Sequence, residues 1–517
     1  MILAAWAAGA GLLVRRVYFP SSALRLREAA LDVGPGAEFY AITMDGGPIG
    51  YASSTVDTTP QGLRLQDLMV MDLEVLGKVQ RTQLATDIRL TRDLHVRTFD
   101  AILSTPAPTF HAAGTVEGDS VLSVAIDAGT PHPQVTRVRL DHPLVMTTML
   151  PLQLAVGRRL VRGRSYALRV FDPMLQEERD VTVRVLAEST LVVADSAERD
   201  STAHRWVPAH DDTLHAWEVR EEYGGLATDS WIDRQGRVVS ATAPLGFAIQ
   251  RMPFEMAVEN WRRDEEARHA AGGAAGGGGA GDVIAATAVA ADAALAPDSL
   301  DRLTVAVRGV GLDGFALAGG RQTLAGDTLT VRREPGVGAV PGPRPSLYFA
   351  RLPLTDTALA ADLGPEPLIQ SDDPRIEAQA RLIVGRERRS GPVAELLTRW
   401  VYQNVRPDVV LGVPSAVQVL ADRRGDCNEH TVLYVALARA LGLPARTAAG
   451  LVYLRGRFYY HAWPEVWLGD WVAVDPTLGE FPADAAHLRF VTGGLARQVE
   501  LLRLLGRVRL TIVGSGS

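Results

Sequence analysis

Cys427 is the only cysteine in 517 residues, and it lies in GDCNEH, beside an acid and just ahead of a helical pattern. A soft nucleophile is useful where its thiolate can form and a proton acceptor stands near. Asp426 suits a helix N-cap and Glu429 holds the capping-box position. Leu433, Ala436, Leu437, Ala440 and Leu441 then make an apolar face that Gly442 and Pro444 bring to an end. Cys427 becomes the first residue of that helix, where free N–H groups and the positive dipole end favour a thiolate. Further on, YYHAWPEVWLGDWVAVDPT reads as a hairpin. Its turn at Leu468 to Asp470 sets His461 and Asp475 on one face, diagonally opposed. An imidazole steadied by a carboxylate can take a thiol proton and return it to a leaving group. Cys427, His461 and Asp475 are therefore the expected catalytic residues.

The same residues have two competing uses. A lone cysteine often serves as a small buried apolar group. Cys427, His430 and His461 would also offer three zinc ligands, but a structural zinc site takes four and there is no second cysteine. No metal and no cofactor is expected.

Three helical patterns precede the cysteine: PRIEAQARLIVGRERR, PVAELLTRWVYQNV and SAVQVLADRRGD. They place residues 371–500 in one α+β domain. Upstream, alternating runs such as AEFYAITMDG, TQLATDIRLT, HVRTFDAILS and YALRVFDP read as antiparallel strands, with a tight turn in MDGGPIGY and a hairpin tipped by Gln235 and Gly236. The expected fold class is α+β and multidomain, with β-rich domains over 37–160 and 161–263. A Gly/Ala-rich linker at 264–297 and a small β-rich unit at 298–370 come next, and residues 501–517 follow as a C-terminal tail. The linker glycines have no Lys-Ser or Lys-Thr after them, which excludes a phosphate-binding loop.

The motifs GDCNEHTVLYVALARALGLPAR, AGLVY and HAWPEVWLGDWVAVDPT, in this order, resemble the core of the transglutaminase-like superfamily, bacterial branch, over roughly residues 380–495. The resemblance implies a papain-like domain with a Cys-His-Asp triad: Cys427 as nucleophile, His461 as general base and acid, Asp475 as orienting carboxylate. Asn428 stands where animal transglutaminases carry an aromatic residue, and the sequence has no D-x-[DN]-x-[DN]-G calcium loop, so neither protein crosslinking nor calcium follows. The Cys427 backbone N–H is one oxyanion donor, and Trp400, Tyr402 and Gln418 are unranked candidates for another. Trp463, beside the histidine, is a candidate water shield or substrate wall.

The expected function is cysteine-dependent hydrolysis or acyl transfer on a peptide or protein amide, through a thioester. The alternative is a catalytically idle module in an envelope binding or scaffold protein. Net charge is −7, and no basic cluster is interleaved with aromatics, which excludes nucleic acid as a partner. Residues 1–14 carry no charge and are followed by Arg15 and Arg16. As a helix they would span roughly 21 Å against a hydrocarbon core of roughly 30 Å. Residues 1–20 read as an apolar segment, either a buried N-terminal helix or what a truncated membrane anchor leaves, and Trp6 with Leu12 to Val14, which give no polar face, favour the anchor. The expected location is the cell envelope, with the domains outside the cytoplasm; nothing in the sequence specifies an oligomeric state.

Overall fold

The computed structural model describes residues 33–516 apart from 76–77, 106–108, 128–132, 158–159, 174–176, 224–225, 271–286, 336–356, 409–412, 414 and 505. The expected anchor at 1–20 lies outside the described residues. No described helix is long and apolar enough to cross a membrane.

Alternation along the strands decides which face is covered. In Phe110–Glu117 the odd-placed residues Phe110, Ala112, Gly114 and Val116 are buried and their neighbours are not. Fourteen such strands form one antiparallel sheet. Successive strands pair from Gly36–Met44 out to Gln134–Arg139, and from Ser165–Asp172 to Phe247–Met252. The two runs join where Gly36–Met44 pairs with Phe247–Met252 in the register Ile42↔Ile249. The β-rich domains expected at 37–160 and 161–263 are therefore halves of a single sheet. Local alternation marks strands but cannot report a pairing between residues some two hundred positions apart.

The sheet curls around the helix Leu150–Gly157. Leu150, Leu152 and Leu154 are all buried, on two opposite faces of the helix, while Pro151, Gln153, Ala155 and Val156 are only partly covered. Leu152 packs with Phe99, Leu122 and Phe171, whereas Leu150 and Leu154 pack with Val183, Val219 and Ile232 from the other half. An isolated parallel bridge joins Met146, in the segment after Gln134–Arg139, to Phe171 on the opposite edge strand Ser165–Asp172.

Two boundary strands correct the expected division of the chain. Residues 264–270 of the supposed linker belong to the helix Asn260–Ala270, and Val289–Ala290 pairs with Phe458 and Arg457; 271–286 lie outside the described residues. The tail is not free either. Its strand Arg509–Gly516 completes a four-stranded sheet by pairing with Arg302–Arg308. Leu303, Val305, Leu329 and Val331 of that sheet share one core with Leu451, Phe458, Leu488 and Phe490 of the C-terminal domain. The small β-rich unit thus packs directly onto the domain it precedes, and Arg321 donates to the carbonyls of Ala483 and Asp484.

The C-terminal domain has the expected helices, Pro374–Val384, Ser390–Asn404, Ala416–Asp422 and Cys427–Ala440, set against the strands Ala445–Leu454, Arg457–Trp467 and His487–Thr492. Leu433 to Ala438 are all fully buried. The last helix is a central element, covered on more faces than its apolar stripe alone requires.

Candidate active site

Local sequence rules place Cys427. The Asp426 carboxylate accepts from the Asn428 amide at 2.8 Å and also from the Glu429 amide, while Glu429 Oε2 accepts from the Asp426 amide at 2.7 Å; the last two bonds are the halves of a capping box. The turn is tight. A Cβ on Gly425 would lie 2.2 Å from the Glu429 Cβ, so Gly425 is required for the glutamate to fold back.

The sulfur is half-buried and packs in the cluster that holds Ala462 and Tyr460, the residues flanking His461 in the chain. Burial pushes the thiol well up, and the Asp426, Glu429 and Asp475 carboxylates act in the same sense. Only the hydrogen bond from the Ala462 amide draws it down. The expectation that the helix start holds this sulfur ionised is therefore corrected. Burial, with the neighbouring carboxylates, favours the neutral form over the dipole's pull, and the resting group is a thiol.

His461 and Asp475 come together as the hairpin requires. Its turn is at 468–470, with Trp467↔Trp471 and Glu465↔Ala473 paired, and His461 Nε2 donates to Asp475 Oδ2 at 2.7 Å. Asp475 is sealed from solvent and its four hydrogen bonds leave no lone pair idle. Oδ1 accepts from the Thr477 and Leu478 amides at 2.7 and 3.1 Å. Oδ2 accepts from His461 and also from His487 Nε2 at 3.0 Å. Burial alone would raise this carboxyl, but the two imidazoles hold it well below the usual carboxylate range.

His487 is the residue that sequence reasoning missed. It lies on the strand His487–Thr492, fully buried, and its Nδ1 donates to Asp484 Oδ1 at 2.8 Å. Burial works against its charge, yet hydrogen bonds and attraction from Asp475 and Asp484 push its pKa up to about 10. It is an imidazolium at neutral pH, and Asp475 is the shared acceptor of a His-Asp-His hydrogen-bond array.

The raised value fixes a sign for stability. The folded pKa stands above the ordinary 6.5, so the contribution of this charge is fully present below about 6.5 and is lost as pH rises through about 10. Urea unfolding from pH 7 to 11 is expected to show a falling midpoint near pH 10. The fall should be smaller in His487→Gln; equal slopes in both proteins would contradict the assignment.

The other site residues fall differently. Trp463 is completely buried, stacked near His461 with ring centroids 6.1 Å apart and edge-on to His487 at 5.2 Å. It shields the pair, and its burial removes it as a substrate wall. Trp463→Ala is expected to cost about 3–5 kcal/mol in chemical unfolding, as for other buried aromatic truncations. Tyr402 is half-exposed, with its ring over Gly479 beyond Asp475. Trp400 is partly buried under the Arg423 guanidinium at 4.4 Å, and Gln418 is half-buried on the helix Ala416–Asp422.

His430 has Nδ1 on the Asp426 carbonyl at 2.7 Å and Nε2 on the Val405 carbonyl at 3.2 Å, so neither nitrogen is left for the zinc arrangement considered above. Among the described residues two groups have converging metal-type donors, His461 with Asp475 and His487, and Glu480 with Asp484 and His487. In the first, separations of 2.7 and 3.0 Å between the donors suit shared protons.

The cysteine, the capping box and the histidine–aspartate pair all lie in one stretch, and residues 377–476 match the family model of the transglutaminase-like superfamily. The chain carries a transglutaminase-like core domain. This core includes all three residues expected to react, while His487 lies just beyond it. No curated protein matches the sequence significantly. Among solved structures, a candidate cysteine protease from Cytophaga hutchinsonii is similar over 42% of this chain and 86% of its own, at 16% identity and a TM-score of 0.26. The periplasmic domain of TgpA from Pseudomonas aeruginosa, bound to ethylmercury, is similar over 38% and 92%, at 20% identity and a TM-score of 0.24. A β-barrel-like protein of unknown function from Brucella abortus is similar over 42% and 94%, at 13% identity and a TM-score of 0.28.

Proposed function

We propose that the transglutaminase-like core is a papain-like catalytic domain in which Cys427, His461 and Asp475 cleave or transfer the acyl group of a peptide or protein amide. The observation that carries this reading is the sealed Asp475 carboxylate holding His461 Nε2. With Nε2–H donated to the acid, Nδ1 is the basic atom of the ring.

The thiol gives its proton to His461 Nδ1 as the sulfur adds to the amide carbonyl. The Cys427 backbone N–H, in the first turn and without an intrahelical acceptor, faces the developing oxyanion. The imidazolium then protonates the departing amine, and the carbon–nitrogen bond breaks to leave a thioester. His461 next takes a proton from water, which attacks the thioester to release the acid and restore the thiol; an amine in place of water would give a new amide. Hydrolysis is the preferred outcome because no residue group marks an amine site. A resting thiol fits this scheme, since its proton is the one the leaving amine receives.

A location in the cell envelope, with attachment through residues 1–14, is part of the same proposal. The test is capture: incubate the full chain with a library of cell-envelope peptides, quench in acid and look by mass for an acyl group on Cys427. An adduct at that residue, absent from Asp475→Asn, supports the triad. Persistent absence with a folded protein favours the idle scaffold.

A further inference from the structure

A fourteen-stranded sheet curled around one short helix encloses more space than its inward side chains fill. A cavity of about 290 Å³ remains, bounded by both halves of the sheet and by the start of the helix Leu150–Gly157. Most of its wall surface is apolar, with Leu65, Leu68, Met69, Leu84, Leu152 and Ile249 among the lining.

The polar groups there have one bias. Three carboxyls line the cavity, from Glu38, Asp67 and Glu221, against a single cation, Arg237. That cation is engaged, with Nη1 donating to Glu38 Oε1 at 2.6 Å and Nη2 to the Gly34 carbonyl at 3.0 Å. Asp67 accepts from Thr86 Oγ1 at 3.3 Å. The Glu221 carboxyl forms no hydrogen bond or ion pair with any described residue, and burial pushes it up to about 7. Ser230, also on the wall and only 5% exposed, has a hydroxyl with no partner among the described residues. The lumen therefore offers unfilled acceptors on an apolar wall and no free positive charge. A guest that brings donors and a positive charge completes it, whereas an organic anion would meet carboxyls only.

We propose that the lumen of the large sheet binds a small amphiphilic cation, an aliphatic chain ending in an amine, with Glu221 as the counter-charge and Leu65, Leu68 and Leu84 against the chain. This site is separate from Cys427 and does not depend on its chemistry.

The test uses the full chain and three probes of equal chain length, n-octylamine, n-octanoate and n-octanol, titrated by calorimetry at pH 8. The amine is expected to bind saturably at one site, and at least about tenfold more weakly to Glu221→Gln, the loss of one charge-assisted hydrogen bond. Leu68→Trp, which fills the lumen, should abolish binding. Folding of both variants is checked by circular dichroism, and Cys427→Ala should bind as the parent does. Octanoate or octanol binding as tightly as the amine overturns the proposal, as does amine binding that neither Glu221→Gln nor a folded Leu68→Trp weakens.

Discussion

Cys427→Ala is expected to abolish turnover and labelling by iodoacetamide while leaving the fold intact. Removing the nucleophile of a triad costs on the order of 10⁴-fold or more. The fold stays intact because the side chain is half-buried and packs only against the outside of the cluster that holds Leu451, Phe458, Leu488 and Phe490. Since there is no other cysteine, labelling reads this site alone. The parent protein carries a second expectation. Because burial and the Asp426, Glu429 and Asp475 carboxylates push the thiol up, its labelling rate should keep rising with pH beyond about 8.5, where an ordinary thiol is half ionised. A labelling plateau already reached at pH 6 would show a stable thiolate and overturn the resting-thiol assignment. Full turnover in Cys427→Ala would end the proposed mechanism.

His487→Ala should have the second largest effect, on stability and on chemistry together. The substitution leaves Asp475 and Asp484 buried while deleting the cation that both contact. Breaking a buried ion pair from one side costs about 3–5 kcal/mol, which chemical unfolding would measure. On activity, residues that orient a reacting group through another commonly matter by about 10–100-fold. His487 is a positioning residue, and a purely structural role would not alter pH dependence. With the imidazolium gone, Asp475 rests on His461 and two amides alone, so its pKa should rise and the acid limb of the activity profile should move to higher pH. His487→Gln keeps a donor toward Asp475 and should restore part of the stability but not the acid limb. An unchanged profile in both variants would reduce His487 to a core residue.

The candidate site was legible wherever its signals are local. The capping box, the helix beginning at Cys427 and the turn at 468–470 each depend on residues a few positions apart, and each stands where the sequence puts it. His487 carried no such signal. It is one histidine in an apolar strand, and its partners, Asp475 twelve residues away and Asp484, gain meaning only once the strand His487–Thr492 lies beside Ala445–Leu454. Trp463 was visible as an aromatic neighbour of the histidine, but its complete burial belongs to the packing of the whole domain.

What the sequence determined by itself is the set of elements and the order of the reacting residues, because helix caps, turns and alternation act over a few bonds. Tertiary structure decided the rest: that two β-rich stretches share one sheet, that residues 509–516 close a second sheet, and that the sulfur rests as a thiol. Pairing between distant strands and the desolvation of a charge depend on what surrounds a group in space, and neither quantity is carried by its neighbours along the chain.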